Sequence, residues 1–194
     1  MGRQASMGAL AVVALVMALP AWGELDFEAG KWRLELSGLS GVHSGSTDRS
    51  GDLLVTGTVD YEFPATEHTT LGLRLMPLFL YGQDAPDDCC WDDDNDNEYD
   101  GGTVWGAGVG LTGRLYVKGD YRGLFFEGQA NVVVHDEKVV GNSANVNFLT
   151  GVAMGYKFQC DWHVVVKYEH ISNADLGDEN DGANVLGLGV GYTF

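Results

Sequence analysis

Positive charge is in short supply. Lysine and arginine number 11 against 28 aspartates and glutamates, a formal net charge of -17. So acidic a chain cannot neutralise a phosphate backbone, which excludes nucleic acid as a partner. It equally excludes simple electrostatic attraction to anionic headgroups unless a divalent cation intervenes. Proline is scarce at 4 residues, and cysteine numbers 3. Cys89 and Cys90 are neighbours and Cys160 lies far along the chain, so neither a disulfide framework nor a zinc spacing emerges. Beyond the first residues there is no apolar run long enough for a transmembrane helix, so any membrane residence has to be as a β-barrel.

What is present begins with a short basic start at Arg3 and an apolar run from Met7 to Leu19. Ala21-Trp22-Gly23 places small residues where a signal peptidase reads. The pattern predicts a signal peptide over 1–23, cleavage before Glu24, and export. Glycine is abundant at 28 residues, and aromatics make up 11%. This composition suits strands better than helices.

Period-two alternation predicts eight strands, at roughly 30–44, 52–63, 69–82, 103–118, 120–134, 144–157, 161–172 and 183–194. Most reach the ~9–11 residues that a tilted strand needs to cross a membrane. Trp32, Leu34 and Leu36 share one face of the first strand, with Lys31, Arg33 and Glu35 on the other. In the fifth, Leu124, Phe126, Ala130, Val132 and Val134 oppose Glu127, Gln129 and Asn131. The third, with Leu78, Phe79 and Leu80 in a row, has no clear phase. Short turns at 64–68, 118–120 and 158–161 alternate with longer polar joins at 45–51, 83–102, 135–143 and 173–182. Apolar outside, polar or glycine inside, with loops long at one end only, is the pattern of an outer-membrane barrel. The expected fold is an all-β, eight-stranded antiparallel outer-membrane β-barrel forming a single domain over 24–194. A soluble ligand-binding barrel is the competing reading, since alternation does not say which face is inside. Eight strands leave a lumen filled by side chains, which excludes an open pore.

Three polar residues break the outward apolar phase near one end. In the seventh strand Trp162, Val164, Val166 and Tyr168 are followed in phase by His170 and Ser172. In the eighth, extending Leu186, Leu188, Val190, Tyr192 and Phe194 backwards gives Asn184. Cross-strand neighbours lie about 4.5–5.5 Å apart, so the three can cluster. Strands also reach headgroups at a rim, where polar residues are cheap. A histidine beside a hydroxyl is, however, what nucleophilic ester cleavage needs.

His170-Ile171-Ser172-Asn173-Ala174, at the end of the seventh of eight strands, resembles the His-x-Ser-Asn motif of the lipid A 3-O-deacylase family. The resemblance covers the mature chain in architecture and is concentrated between Tyr168 and Phe194. It implies an outer-membrane esterase that removes the acyl chain at the 3 position of lipid A. The active site would lie on the barrel's outer wall, at the outer-leaflet side. By motif, Ser172 would be the nucleophile, His170 the general base and Asn173 an oxyanion donor. The family pattern has a glutamate twelve residues after the serine to orient the histidine; here that position is Asn184. Asn184 is therefore the third catalytic candidate, able to accept from the imidazole without supplying charge. Asp178, Glu179 and Asp181 are candidates to supply that charge from the adjoining loop. Asp175 stands where the family has glycine.

No cofactor is required by this chemistry. The expected partners are lipopolysaccharide in the outer leaflet and the barrel-assembly machinery, whose terminal signal the ending Tyr192-Thr193-Phe194 resembles. A second copy of the chain is a further candidate. The loop "DAPDDCCWDDDNDNEYDGG" offers Asp92, Asp94 and Asp96 as candidate metal ligands, although an EF-hand fails: position six from Asp92 is Asn97 and twelve is Thr103. A non-catalytic structural or lipid-binding barrel with a degenerate site is the alternative to the esterase.

Overall fold

Eight alternating runs close on one another without an edge. The computed structural model describes residues 25–42, 49–83 and 102–194. The strands are β1 (Lys31–Val42), β2 (Leu53–Pro64), β3 (Thr69–Gln83), β4 (Gly102–Tyr116), β5 (Gly123–His135), β6 (Val146–Lys157), β7 (Trp162–Ser172) and β8 (Ala183–Thr193). Each pairs antiparallel with the next, and β8 returns to β1, from Thr193 opposite Arg33 to Asn184 opposite Val42. Closure pairs the backbone groups that an open sheet would expose, a condition any lipid-embedded sheet must meet. No helix among the described residues is long and apolar enough to cross a membrane. The expected signal peptide at 1–23, Cys89, Cys90 and the candidate metal ligands Asp92, Asp94 and Asp96 lie outside the described residues.

The expected strands are all present, with two local differences. β5 starts at Gly123 rather than 120, because the turn runs through Tyr121, whose φ of 53° ends regular pairing. The unclear phase of β3 is a bulge: the β3–β4 register shifts between Met76 and Phe79. Arg74 and Met76 point inward before it, Phe79 and Tyr81 after it. Pro77 sits in that gap, where the ladder asks for no N–H.

The outer wall is apolar around the whole barrel, with Leu188 66%, Val109 59% and Leu36 54% exposed. Soluble proteins rarely present such continuous apolar surface. Aromatic pairs ring the short-turn end, Trp32–Tyr61 at 5.0 Å, Tyr156–Phe158 at 5.1 Å and Trp162–Tyr192 at 5.3 Å between centroids. Such a ring marks a lipid–water boundary.

The interior departs from the expected uniform polar lining. Toward the long-loop end it is apolar, with Leu39, Leu54, Met76, Phe79, Leu149, Ile171 and Val185 in one buried cluster. Val139, from the β5–β6 loop, is 0% exposed within that cluster and closes it from above. Gln83 ties the same loop down, donating to Lys138 O at 3.1 Å and accepting from Val140 N at 2.9 Å. Below, the lumen is ionic. Asp60 binds Arg33 Nε at 2.8 Å and Arg74 Nε at 2.7 Å. Glu127 binds Arg114 Nε at 2.6 Å and Arg33 Nη1 at 2.9 Å. Lys167 bridges Glu35 at 3.0 Å and Glu169 at 2.9 Å. Buried charges persist only when paired and hydrogen-bonded, and here all of these pairs except Lys167–Glu169 join different strands. The lumen is filled through its middle, and a pocket of about 250 Å³ remains at the short-turn mouth beside Glu62, Tyr116 and Lys157.

Candidate active site

On β7 the residues at alternate positions point outward, so His170 and Ser172 leave the barrel on its lipid-facing side at the long-loop end. Register sets their neighbours. His170 stands between Thr150 of β6 and Asn184 of β8, and Ser172 stands beside Phe148 of β6. His170, Ser172, Thr150 and Asn184 are all half-buried on that wall.

The pairing brings His170 Nδ1 to 2.8 Å from Asn184 Oδ1. A carboxamide oxygen only accepts, so Nδ1 carries a proton, and in the neutral ring the lone pair is on Nε2. The tautomer a general base needs is thereby selected without a carboxylate. Asp178, Glu179 and Asp181 do not take over the orienting role: among the described residues no carboxylate hydrogen-bonds the His170 ring. Their loop is held elsewhere. Asp181 N donates to Gly141 O at 2.8 Å, and Glu179 O accepts from Ser143 N at 3.1 Å.

Gly182, immediately before β8, was not singled out by the sequence. Its φ is +67°, and a Cβ there would lie 2.9 Å from His170 Cε1 and 3.2 Å from Ile171 O. Only glycine combines that backbone conformation with room for the ring, whose Nε2 edge rests against it. Thr150, the other neighbour of His170, was also missed. The signal for both is positional, a glycine opening a strand and a hydroxyl on an otherwise apolar face.

Ser172 and His170 share a face two residues apart, with no hydrogen bond between them among the described residues. Catalytic hydrogen bonds of this kind commonly tighten only when substrate is bound. Asn173 is 0% exposed. Its backbone N–H donates to Asn180 Oδ1 at 3.0 Å, and Nδ2 donates to Glu179 O at 2.6 Å. Its Oδ1 accepts from Asp175 N at 3.0 Å. The side chain is therefore a brace inside the β7–β8 loop rather than a donor facing outward. The turn it shapes puts Ala174 and Asp175 at φ of 51° and 62°. The Asp175 carboxylate accepts from Asn180 Nδ2 at 3.0 Å.

Next to the polar group runs an apolar groove of about 550 Å³ on the outer wall. Its floor is the pair Gly113 and Gly128, opposite each other on β4 and β5, where two side chains are missing from the lipid face. Leu115, Phe126, Met154 and Tyr168 form its sides, and Leu186 lines it too. Tyr168 and Leu186 are the next outward residues after His170 and Asn184, so the groove ends one outward position from the polar group, none of whose members lines it. Among the described residues no group of His, Cys, Asp and Glu could hold a metal ion.

The model of the family described as lipid A 3-O-deacylase (PagL) matches residues 82–193. Similar solved structures include the outer membrane enzyme PagL, 16% identical, with a TM-score of 0.59 over 82% of this chain and 98% of that one. The Yersinia pestis outer membrane protein Ail is 13% identical, with a TM-score of 0.47 over 85% of this chain and 99% of its own. OprG from Pseudomonas aeruginosa is 11% identical, with a TM-score of 0.45 over 86% and 96%. No curated protein sequence gives a significant match. The likeness to the PagL structure speaks for the barrel alone, whereas the family match spans more than half of the 194 residues, and on that ground the chain belongs to the lipid A 3-O-deacylase (PagL) family.

Proposed function

We propose that this protein is an outer-membrane serine esterase that removes the ester-linked acyl chain from the 3 position of lipid A, with its site facing the outer leaflet. The single observation that carries the reading is the Asn184 Oδ1 to His170 Nδ1 hydrogen bond, placed on the lipid-facing wall beside Ser172 and the groove. Family membership supplies the substrate class.

The chemistry follows from the protonation state. His170 Nε2 takes the Ser172 Oγ proton as Oγ forms its bond to the ester carbonyl carbon. The imidazolium returns that proton to the departing sugar oxygen as the carbon–oxygen bond breaks. Water, deprotonated by Nε2, then attacks the acyl carbon and releases the fatty acid with Ser172 restored. Asn184 orients the ring throughout but leaves the imidazolium without a neighbouring charge, so turnover is slow. We assign Asn173 to shaping the turn, since its own amide and that of Asp175 are held within it. The groove holds acyl chain, whose apolar surface it matches.

The test is lipid A mass spectrometry on outer membranes that contain the protein, beside Ser172→Ala. Loss of one hydroxyacyl chain, absent in Ser172→Ala, supports the deacylase. Intact lipid A in both, from a folded barrel, leaves the non-catalytic lipid-binding barrel.

A further inference from the structure

The carbonyl of Gly182, which leads the chain into β8, accepts a hydrogen bond from Arg49 Nη2 at 3.2 Å. The same Nη2 donates to Val140 O at 2.6 Å. Arg49 lies 133 residues before Gly182, in the loop between β1 and β2, and is 3% exposed. The Asp52 carboxylate stands 3.8 Å from Nη1 and is itself held by the Tyr81 hydroxyl. Residues 141–143 and 179–181 are laced together around this point: Asp181 N donates to Gly141 O at 2.8 Å, and Asn142 bridges Asn180. Gly141, at φ +74°, permits the crowding, since a Cβ there would lie 2.8 Å from Asp181 Cβ and 3.2 Å from Arg49 Nη2. The guanidinium is thus the one side chain among these that joins three loops through their backbone.

One of its two carbonyls belongs to the residue against which the His170 ring rests. Gly182 has wide backbone freedom, so without an outside bond its carbonyl would sample several orientations. Fixing that carbonyl fixes the 182–183 peptide and, two residues on, the direction from which Asn184 reaches the imidazole. Arg49 also carries a cost: its Nε is buried with no hydrogen-bond partner among the described residues. An apolar side chain of similar volume would fill the same space without burying a charge, so packing does not explain an arginine here. Its directional donors do.

We propose that Arg49 is a positioning residue of the ester-cleaving site. It pins Gly182 so that the His170 base keeps its shelf and its bond to Asn184. The inference rests on the hydrolase reading above, and Arg49 itself touches no substrate.

The experiment uses the full-length protein in detergent micelles with purified lipid A, and compares wild type, Arg49→Met and Arg49→Lys. Heat-modifiable migration reports barrel folding. Nitrogen-15 NMR of histidine-labelled protein, with His170 identified by His170→Gln, reports the Nδ1–H bonded to Asn184. Arg49→Met keeps the alkyl stem and removes the donors. The expected result is a folded barrel, KM little changed, kcat reduced roughly 10- to 100-fold, and loss of the protected His170 Nδ1–H signal. Arg49→Lys, which keeps a cationic donor, recovers both in part. A folded Arg49→Met with wild-type kcat and an unchanged His170 signal overturns the proposal. Should Arg49→Met not fold, Arg49→Gln takes its place with the same two readings. If wild type leaves lipid A intact, the hydrolase reading fails, and the His170 signal alone then decides whether Arg49 positions the ring.

Discussion

In the proposed mechanism Asn184 does half of what an orienting acid does. It selects the Nδ1–H tautomer through a 2.8 Å hydrogen bond, and it adds no charge to steady the imidazolium. In serine proteases the change from aspartate to asparagine costs about 10⁴ in turnover, partly through the wrong tautomer, so a loss here with the right tautomer is smaller than that. Asn184→Glu is expected to raise kcat by roughly 10- to 1,000-fold with little change in KM, measured as fatty acid release from lipid A. Unchanged or lower turnover in the folded variant would show that the missing charge is not what limits the site. Gly182→Ala acts on the same ring from the other side. It places a Cβ 2.9 Å from His170 Cε1 at a φ of +67°, which costs about 1–3 kcal/mol in backbone strain alone. The barrel should still fold, and turnover should fall about 100-fold as the ring is displaced.

At the level of the strand, face and end set the consequences of a change. Leu188 is the central outward residue of β8 and 66% exposed. Leu188→Arg should cost about 2–4 kcal/mol in unfolding from lipid vesicles, because mid-barrel depth offers the charge no water. The same change tested in a water-soluble barrel would be nearly neutral, so this measurement also decides between the two environments. At the rim, Asp136 joins β5 to β4. The Trp105 and Glu137 amides each donate to its carboxylate at 2.8 Å and hold its pKa below the ordinary aspartate value. A depressed folded-state value means the stabilisation is full above the unfolded value and is lost as pH falls through the folded one. Protection of the Trp105 amide, relative to the intrinsic exchange rate at each pH, should therefore fall only in acid, and Asp136→Asn should remove that pH dependence.

The whole barrel depends on a lumen whose two layers follow different physics. The apolar layer packs like any core. The ionic layer is stable only as a set, since Arg33, Arg74 and Arg114 all converge on Glu127. Glu127→Ala would remove the partner these guanidinium groups share, leaving Arg33 and Arg74 on Asp60 and Arg114 on Glu35, and the expected loss is about 3 kcal/mol in a urea titration of the vesicle-embedded protein. Where the variant stays folded kcat should hold, because His170 and Ser172 face away from the lumen, and any change in KM would come through the place of Glu127 in the groove lining. A coupled loss of activity and stability would mean that lumen packing shapes the outer face more directly than the register suggests.

Strand number, strand phase and the shared face of His170, Ser172 and Asn184 were all legible in the sequence. A strand's two faces are a matter of alternate residues, and no other segment is needed to read them. β3 escaped that reading because one bulge at Pro77 exchanges its faces midway. The apolar upper lumen escaped it because Val133, flanked by Val132 and Val134, gives the same signal whichever way it points. Register then decided what alternation could not. It set His170 opposite Asn184 and Gly113 opposite Gly128, and so turned a face into a hydrogen bond and two missing side chains into a groove. Arg49 lies beyond any local pattern, since a loop cation meets a carbonyl 133 residues away only after the barrel has closed. Sequence by itself determined the elements and the chemistry they carry, because those depend on neighbours along the chain. Tertiary structure decided which groups touch, because closure joins residues that the chain keeps far apart.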